Sequence, residues 1–313
     1  MSAWILHILE KPEEMQAVED LQRSIWTDSE TDVVPLHMLL ACAHNGGLVI
    51  GAFLAEETEQ NPASQNLESS IPEGAPLIGF VFGFPGLYPT PDGPRLKHHS
   101  HMLGVRADYR SRGVGFALKR AQWQMVRHQG LDRITWTYDP LLSHNAFLNV
   151  ARLGAVCNTY HRDVYGPMRD GINAGLPSDR FLVDWWVNTK RVERRLSSRP
   201  RLRLDLAHFL AADARILNPT QIGKDGLPRP VEAVAFVPDE RQKDERKFLL
   251  VEIPSDFQSI RHSDLSLAAD WRLHTRSIFE DLFRKGYLIT DFIYLPGTTA
   301  RSFYVLSHGE STF

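Results

Sequence analysis

Cysteine is almost absent from this chain of 313 residues, with Cys42 and Cys157 the only two. Two isolated thiols in apolar stretches cannot build a disulfide framework or a cysteine-rich metal site, and no metal is expected. They read as buried, reduced thiols, which fits a reducing cytoplasm. No apolar run approaches the about 20 residues that a membrane span requires. The opening, Met1-Ser2-Ala3-Trp4-Ile5-Leu6, has no positively charged lead and meets Glu10 and Lys11 too early for a secretory signal. A soluble, cytoplasmic protein is the expectation. Charge of one sign is lacking too: 35 Lys and Arg against 38 Asp and Glu leave a net −3. Without an extended basic field, neither nucleic acid nor an anionic membrane is an expected partner. What is present is an ordinary globular composition, 43% hydrophobic and 23% charged. At about 150 residues per domain, the length suggests two domains.

Periodicity places a strand at residues 4–9, then a helix with Pro12, Glu13 and Glu14 in its first turn and Met15, Val18, Leu21 and Ile25 on one face. Pro35 opens a second helix through Leu36, Leu39, Leu40 and Ala43, stopped by Asn45-Gly46-Gly47. A strand follows from Leu48 to Ala55. Residues 57–75 are polar and rich in turn formers, and read as a long hairpin loop. Strands Leu77–Phe84 and Leu96–Val105 flank a second long loop, Pro85–Arg95. A helix from about Gly113 to His128 buries Val114, Ala117, Leu118, Ala121 and Met125 and ends at Gly130. Strand Arg133–Tyr138, helix Ser143–Arg152 and strands Ala155–Val164 and Phe181–Val187 complete a first unit. Its order is β-α-α-β-β-β-α-β-α-β-β, an α/β fold on a mixed sheet.

The basic, turn-like stretch 188–202 sets a domain boundary near 198, dividing the chain into 1–198 and 199–313. The smaller lobe reads as α+β. Strands lie near Val231–Val237 and Lys247–Ile253, then a helix from Leu265 to Lys285, then strands Tyr287–Leu295 and Ser302–Ser307. This order echoes the second half of the first unit. No glycine-rich turn accompanies it, since the junction reads Pro254-Ser255-Asp256-Phe257-Gln258-Ser259-Ile260-Arg261. The lobe is either a degenerate copy of that half or an unrelated α+β lobe.

The segment that carries chemistry runs from Leu103 to Leu118: a strand, a short polar loop, Arg110-Ser111-Arg112-Gly113-Val114-Gly115, and an amphipathic helix. A helix N-terminus aims unpaired N–H groups at one point, with about half a positive charge there. Gly113 and Gly115 let that backbone approach a bulky anion, and Arg110 and Arg112 add guanidinium charge. A pyrophosphate suits such a turn. A Walker loop would need Gly-Lys-Ser/Thr, which is missing. A Rossmann fingerprint belongs early in a βαβ unit, whereas this turn follows four strands and two helices.

The motif R-x-x-G-x-G at that place resembles the GNAT superfamily of acyl-CoA N-acyltransferases, whose fourth strand leads through such a turn into a third helix. The resemblance covers roughly residues 3–190, in element order as well as motif. It implies that amides from about Arg112 to Gly115 hold the pyrophosphate of acetyl-CoA or another acyl-CoA, used as co-substrate. It also implies that the fourth and fifth strands splay, so that pantetheine adds to the edge Leu103-Gly104-Val105. Gly104 would suit a bulge there, or a packing accommodation. A later family pattern, N-x-x-A-x-x-x-Y-x-x-x-G, aligns here on Ala146 and Gly154. Ser143 stands for its Asn, with Asn145 and Asn149 close by as cofactor contacts. Val150 stands for its Tyr, often the acid that protonates the thiolate, so Tyr160, Tyr165 or water must replace it.

Acyl transfer to an amine needs a base. His99 and His101 share one face of the fourth strand, and a histidine titrating near pH 6.5 suits the task. Otherwise they are solvent-exposed strand-edge histidines. The loop from Tyr165 to Arg180 offers Arg169 and Arg180 to clamp a substrate carboxylate and Asp179 to hold an ammonium; otherwise it is a charged surface connection. The function implied is transfer of an acetyl, succinyl or other acyl group to a small-molecule amine, such as an amino acid, by direct attack in a ternary complex. A CoA-binding module without catalysis is the alternative. The C-terminal lobe would then cover the acceptor site or join two chains as a homodimer.

Overall fold

The computed structural model describes residues 3–26, 33–55, 67, 71–167, 175–197, 203–231 and 248–308. These fall into two compact units. The first holds the described residues up to Trp136 together with Trp186–Asn188, and the second holds the others from Thr137 onward.

The first unit begins with β1 (Ala3–Ile8), α1 (Pro12–Ile25), α2 (Leu36–His44) and β2 (Leu48–Ala55). Pro12 occupies the first turn of α1, and the Glu14 carboxylate accepts from the amides of Glu10 and Lys11 at 2.8 and 3.0 Å, closing the helix start. There follow β3 (Leu77–Tyr88), β4 (Arg95–Val105), α3 (Val114–His128) and β5 (Arg133–Tyr138). In this unit the strands lie in the order β1-β2-β3-β4-β5, antiparallel up to β4, with β4 and β5 parallel.

Each face of this sheet is covered by its own helices. Met15, Val18, Leu21 and Leu39 of α1 and α2 pack against Val49, Phe53, Phe80 and Phe82. Val114, Ala117, Leu118 and Ala121 of α3 pack against Leu6, Ile50, Ala52 and Val81. Fully burying one such side chain is worth about 1.5–3 kcal/mol, so the two stripes fix the helices on the sheet.

Two expectations are corrected here. The long loop Pro85–Arg95 shortens to residues 89–94, because β3 and β4 stay paired as far as Tyr88 opposite Arg95. The partners of β2 on β3 run only to Gly83, so Pro85 and its missing N–H fall on a free edge of the ladder. The bulge is not at Gly104, which pairs in register with Phe80. A Cβ there would meet Ile25 Cδ1 and Phe80 Cε1, each at 2.8 Å, so this glycine accommodates packing. The register slips instead between Phe82 opposite Met102 and Gly83 opposite Ser100, which leaves His101 as the extra residue.

The second unit starts with α4 (Ser143–Ala146), which continues as a π-helical segment, Phe147–Arg152. Next come β6 (Val156–His161), β7 (Arg180–Trp186), α5 (Lys190–Leu196), α6 (Leu206–Ala211) and β8 (Arg215–Ile216). A small hairpin of β9 (Gln221–Ile222) and β10 (Pro228–Arg229) was not expected. The strand expected at Val231–Val237 lies, but for its first residue, outside the described residues. The unit ends with β11 (Phe248–Ile253), α7 (Phe257–Ser263), α8 (Leu265–Arg284), β12 (Leu288–Leu295) and β13 (Arg301–Ser307).

Strand order here is β7-β6-β12-β13-β11-β8. Two helix-then-hairpin segments, α4-β6-β7 and α8-β12-β13, meet through their first strands, which are antiparallel at Cys157 opposite Ile289. The core under α8 is aromatic, with Phe181, Phe279 and Tyr304 stacked edge to face at 4.8–5.6 Å. Among the described residues no helix is long and apolar enough to cross a membrane.

Candidate functional site

The glycine turn stands where the sequence places it. Gly113 caps α3 at φ 95°, a left-handed conformation that explains the glycine, and the space beside it is open, with nothing within 4 Å of an added Cβ. Gly115 needs no unusual backbone; a Cβ there would rest at ordinary distance from Leu103 and Val105. Ser111 is also left-handed, at φ 60°. The Arg110 Nε donates to the Val105 carbonyl at 3.1 Å, tying the turn to the end of β4, while Arg106 and Arg112 lie over the Tyr109 ring. A first helical turn with outward N–H groups, an open approach and three guanidinium groups nearby fits a pyrophosphate.

The neighbouring strand edge is open as well. β4 and β5 pair only at His98 opposite Ile134 and His99 opposite Thr135. Beyond His99, no β4–β5 pairing exists among the described residues, so the edge from Ser100 to Val105, including Leu103 and Gly104, is free of a strand partner on that side, and the Val105 carbonyl takes the Arg110 guanidinium instead.

His99 and His101 share a face of β4, their rings 6.1 Å apart and packed with Phe82 and Phe84 at 5.4–5.8 Å. The His99 Nδ1 lies 3.4 Å from the Thr135 hydroxyl. Titration near pH 6.5 is not what this setting gives. Burial, then the neighbouring His101 and lysines, bring His99 down to about 4, and burial lowers His101. Both are neutral at pH 7; His99 is half-buried, and His101, the bulge residue, is the more exposed of the two although its packed ring is partly desolvated.

On the other face lies a polar cluster that the sequence reading missed. Lys119 of α3 is buried and donates to the Ser100 hydroxyl at 2.7 Å and the Gln122 amide oxygen at 3.3 Å, with the Trp136 ring 3.8 Å away. Gln122 also meets His98 Nε2 at 3.1 Å. Burial lowers Lys119 to about 7 and, with the charge of Lys119, lowers His98 to about 3. Lys119 and Gln122 sit one turn apart on a stripe otherwise apolar, and that is the signal that could have found them.

The second unit holds the remaining candidates. Asn149 is buried in the π-helical segment, and Asn145 is half-buried. Val150, in the slot of the family tyrosine, is fully buried and offers no acid. The Tyr160 hydroxyl donates to Asp179 at 2.6 Å; burial and that carboxylate push its pKa far up. Tyr165 is exposed, its hydroxyl 2.7 Å from Thr137 and its ring beside the Arg180 guanidinium. Asp179 is buried and engaged by Arg276 at 2.8 and 2.9 Å; desolvation raises its carboxyl, and the bonds from Arg276 and Tyr160 outweigh that and hold it low. Arg180 is buried beside Asp139. Arg169 lies outside the described residues.

No family model matches the sequence, and no curated protein does. Among solved structures, the chain is similar to NAA60 of Arabidopsis thaliana in complex with a bisubstrate analogue, at 17% identity over 59% of this chain and 100% of that one, TM-score 0.41. It is similar to the ribosomal-protein-S18-alanine N-acetyltransferase of Escherichia coli at 13% identity, over 59% and 95%, TM-score 0.39. A metagenomic aminoglycoside acetyltransferase in complex with sisomicin is similar at 13% identity, over 44% and 78%, TM-score 0.32. The chain's own topology carries the fold assignment. In the first unit's sheet the parallel pair, β4 with β5, splays after two residue pairs, with a glycine-turned helix between those strands, which is what the resemblance to the GNAT fold implies.

Proposed function

We propose that this chain is an acyl-CoA-dependent N-acyltransferase acting on a small-molecule amine. One observation carries the reading: the open, glycine-capped start of α3 stands beside the unpaired edge of β4. Amides of Arg112 to Gly115 would hold the pyrophosphate, and the edge Leu103–Val105 would hold pantetheine. Bound acyl-CoA supplies an activated acyl carbonyl. His101 is the base, acting through water because it is exposed and neutral at pH 7, and His99 positions it by ring packing. Of the two tyrosines offered as acid, Tyr160 is disfavoured, because its hydroxyl proton is engaged in the hydrogen bond that it donates to Asp179. Residues 1–198 form the catalytic domain and 199–313 a lobe without a pyrophosphate turn, so one chain binds one CoA. A reducing, cytoplasmic setting suits its two free thiols.

Gly113→Asp puts a negative charge, and a side chain at a left-handed φ, into the turn. Calorimetry should show CoA affinity down by about tenfold or more, roughly 1.4 kcal/mol, with one site per chain in the wild type. Unchanged affinity would remove the cofactor assignment. A binding module without catalysis is the second reading, favoured by the buried Val150 in the tyrosine slot. Thiol release from acetyl-CoA with a panel of amines separates the two. An active enzyme should lose about 10²–10⁴ in turnover on His101→Gln. Release no faster than without protein, across the panel, would leave the module.

A further inference from the structure

Where the ladder between β4 and β5 ends, a side chain from α3 takes its place. The last pair is His99 opposite Thr135, so Ser100 and Trp136 are the next residues on the two strands. Lys119 of α3 touches both. Its Nζ donates to the Ser100 hydroxyl at 2.7 Å and lies 3.8 Å from the centre of the Trp136 ring. One turn further along the helix, the Gln122 amide meets His98 Nε2 at 3.1 Å. Thus α3 grips β4 at residues 98 and 100, which share a face and stand on either side of the last paired residue.

Packing alone does not call for a lysine there. The buried stripe around it is Val114, Ala117, Leu118 and Ala121, and a methionine of similar length would fill the space without burying an amine. The contacts also have a fixed direction. The Gln122 oxygen accepts from Lys119 at 3.3 Å, so its NH2 group donates to His98 Nε2, and the imidazole proton is left on Nδ1. That Nδ1 is buried with no hydrogen-bond partner among the described residues. His98 is thus held as an acceptor, and the chain of contacts from α3 to β4 runs with Lys119 as its donor. Burial brings Lys119 to about 7, and ammonium and amine alike carry the two N–H bonds that Ser100 and Gln122 need.

We propose that Lys119 is a positioning residue, tying β4 to β5 through Ser100 and Trp136 at the point where their backbones part, and so setting the opening between them. A ladder that merely frayed would leave the first free residues of both strands to move apart independently. With Ser100 and Trp136 on one amine, the edge from Ser100 to Val105 leaves β5 from a fixed start. That the opening admits pantetheine rests on the acyltransferase reading; that Lys119 holds it does not.

Hydrogen exchange and calorimetry on the full chain test it, with Lys119→Met and the milder Ser100→Ala. In both variants the amides of residues 98–100 and 134–136 should exchange faster, by about tenfold in Lys119→Met, while those of β1 and β2 keep their rates. CoA should bind about tenfold more weakly to Lys119→Met, whereas ADP, which carries a pyrophosphate without pantetheine, should bind as it does to wild type. Adding Ser100→Ala to Lys119→Met should cost nothing more, because Ser100 acts through the lysine. Unchanged or slower exchange at those residues, exchange quickened alike through β1 and β2, or equal losses of CoA and ADP would overturn the proposal. The exchange readout needs no ligand, which keeps the two readings apart. A wild type that binds no CoA sinks the acyltransferase reading alone, and variants that bind CoA as tightly as wild type sink this one alone.

Discussion

In the first unit a lysine is buried with only neutral partners, while in the second two arginines are held against aspartates in the interior. Lys119 has Ser100, Gln122 and the Trp136 ring around it, and no carboxylate in ion-pair reach among the described residues. Arg272 has Asp139, and Arg276 has Asp179. The chemistry of the two cations accounts for the difference. An ammonium can release its proton when desolvation becomes too costly, and burial brings Lys119 to about 7. A guanidinium cannot, so it must carry a carboxylate in with it. Burial alone would lower Arg272, yet Asp139 more than offsets it and raises the pKa above its ordinary value. The first cluster therefore changes charge with pH, and the second does not.

The largest effect should come from breaking the paired side. Arg272→Leu leaves Asp139 buried with the Leu141 amide at 2.8 Å and the longer contact to Arg180 as its partners, and should destabilise the second unit by about 3–5 kcal/mol. Replacing both partners, Arg272→Leu with Asp139→Leu, should recover much of that loss, since no charge is then stranded. Urea unfolding of the single and double variants checks this. A single variant as stable as wild type would mean that the pair is not the buried contact described.

The unpaired side predicts a pH dependence. Lys119 titrates near 7 when folded and near 10.5 when unfolded. Between those values the unfolded chain holds a proton that the folded chain lacks, so stability rises with pH from about 7 toward 10.5, and the full burden of burial persists below 7. The histidines act lower on the scale. His98 and His99 are neutral when folded down to about 3 and 4, while the unfolded chain takes up protons below 6.5. Stability should therefore fall again as pH drops from 6.5 toward 3. Lys119→Met should flatten the upper rise, on the order of a few kcal/mol from end to end, and keep the lower fall that burial causes, reduced by the lost repulsion between Lys119 and the two histidines. Thermal melts at pH 7 and 9.5 decide it: an equal rise in the variant and in wild type would take Lys119 out of the account.

Local features of the first unit were legible in the sequence, and distant ones were not. Pro12, the stripe Met15-Val18-Leu21 and the turn at Gly113 act within one or two helical turns, so spacing alone reveals them. The extension of β3 past Pro85 was hidden, because proline and Gly86 read as a turn until the free edge of the ladder is known. The bulge was assigned to the one glycine on the strand, although the slip falls at His101, whose side chain gives no signal of it. The pair Arg272–Asp139 joins residues 133 positions apart, and no motif or period links them. The depressed histidines were unforeseen for a related reason: the rings packed on them, Phe82 and Phe84, belong to another strand.

The smallest effect is expected from a bidentate arginine–carboxylate pair on the surface, and it shows what makes the buried pair matter. Arg162 donates to Glu280 through Nε and Nη2, both at 2.5 Å, a bidentate contact as in Arg272 with Asp139, made side-on where that one is end-on through the two Nη atoms. Its side chain is 61% exposed, however, against 2% for Arg272. When Arg162 is removed, water can take up the vacated oxygens of Glu280, so no desolvated charge remains and salt already screens much of the attraction. Arg162→Gln should therefore leave the urea midpoint indistinguishable from wild type, at low salt and at high. If it fell as far as Arg272→Leu, hydrogen-bond geometry would govern these pairs, and burial would not be the variable that separates the two of them.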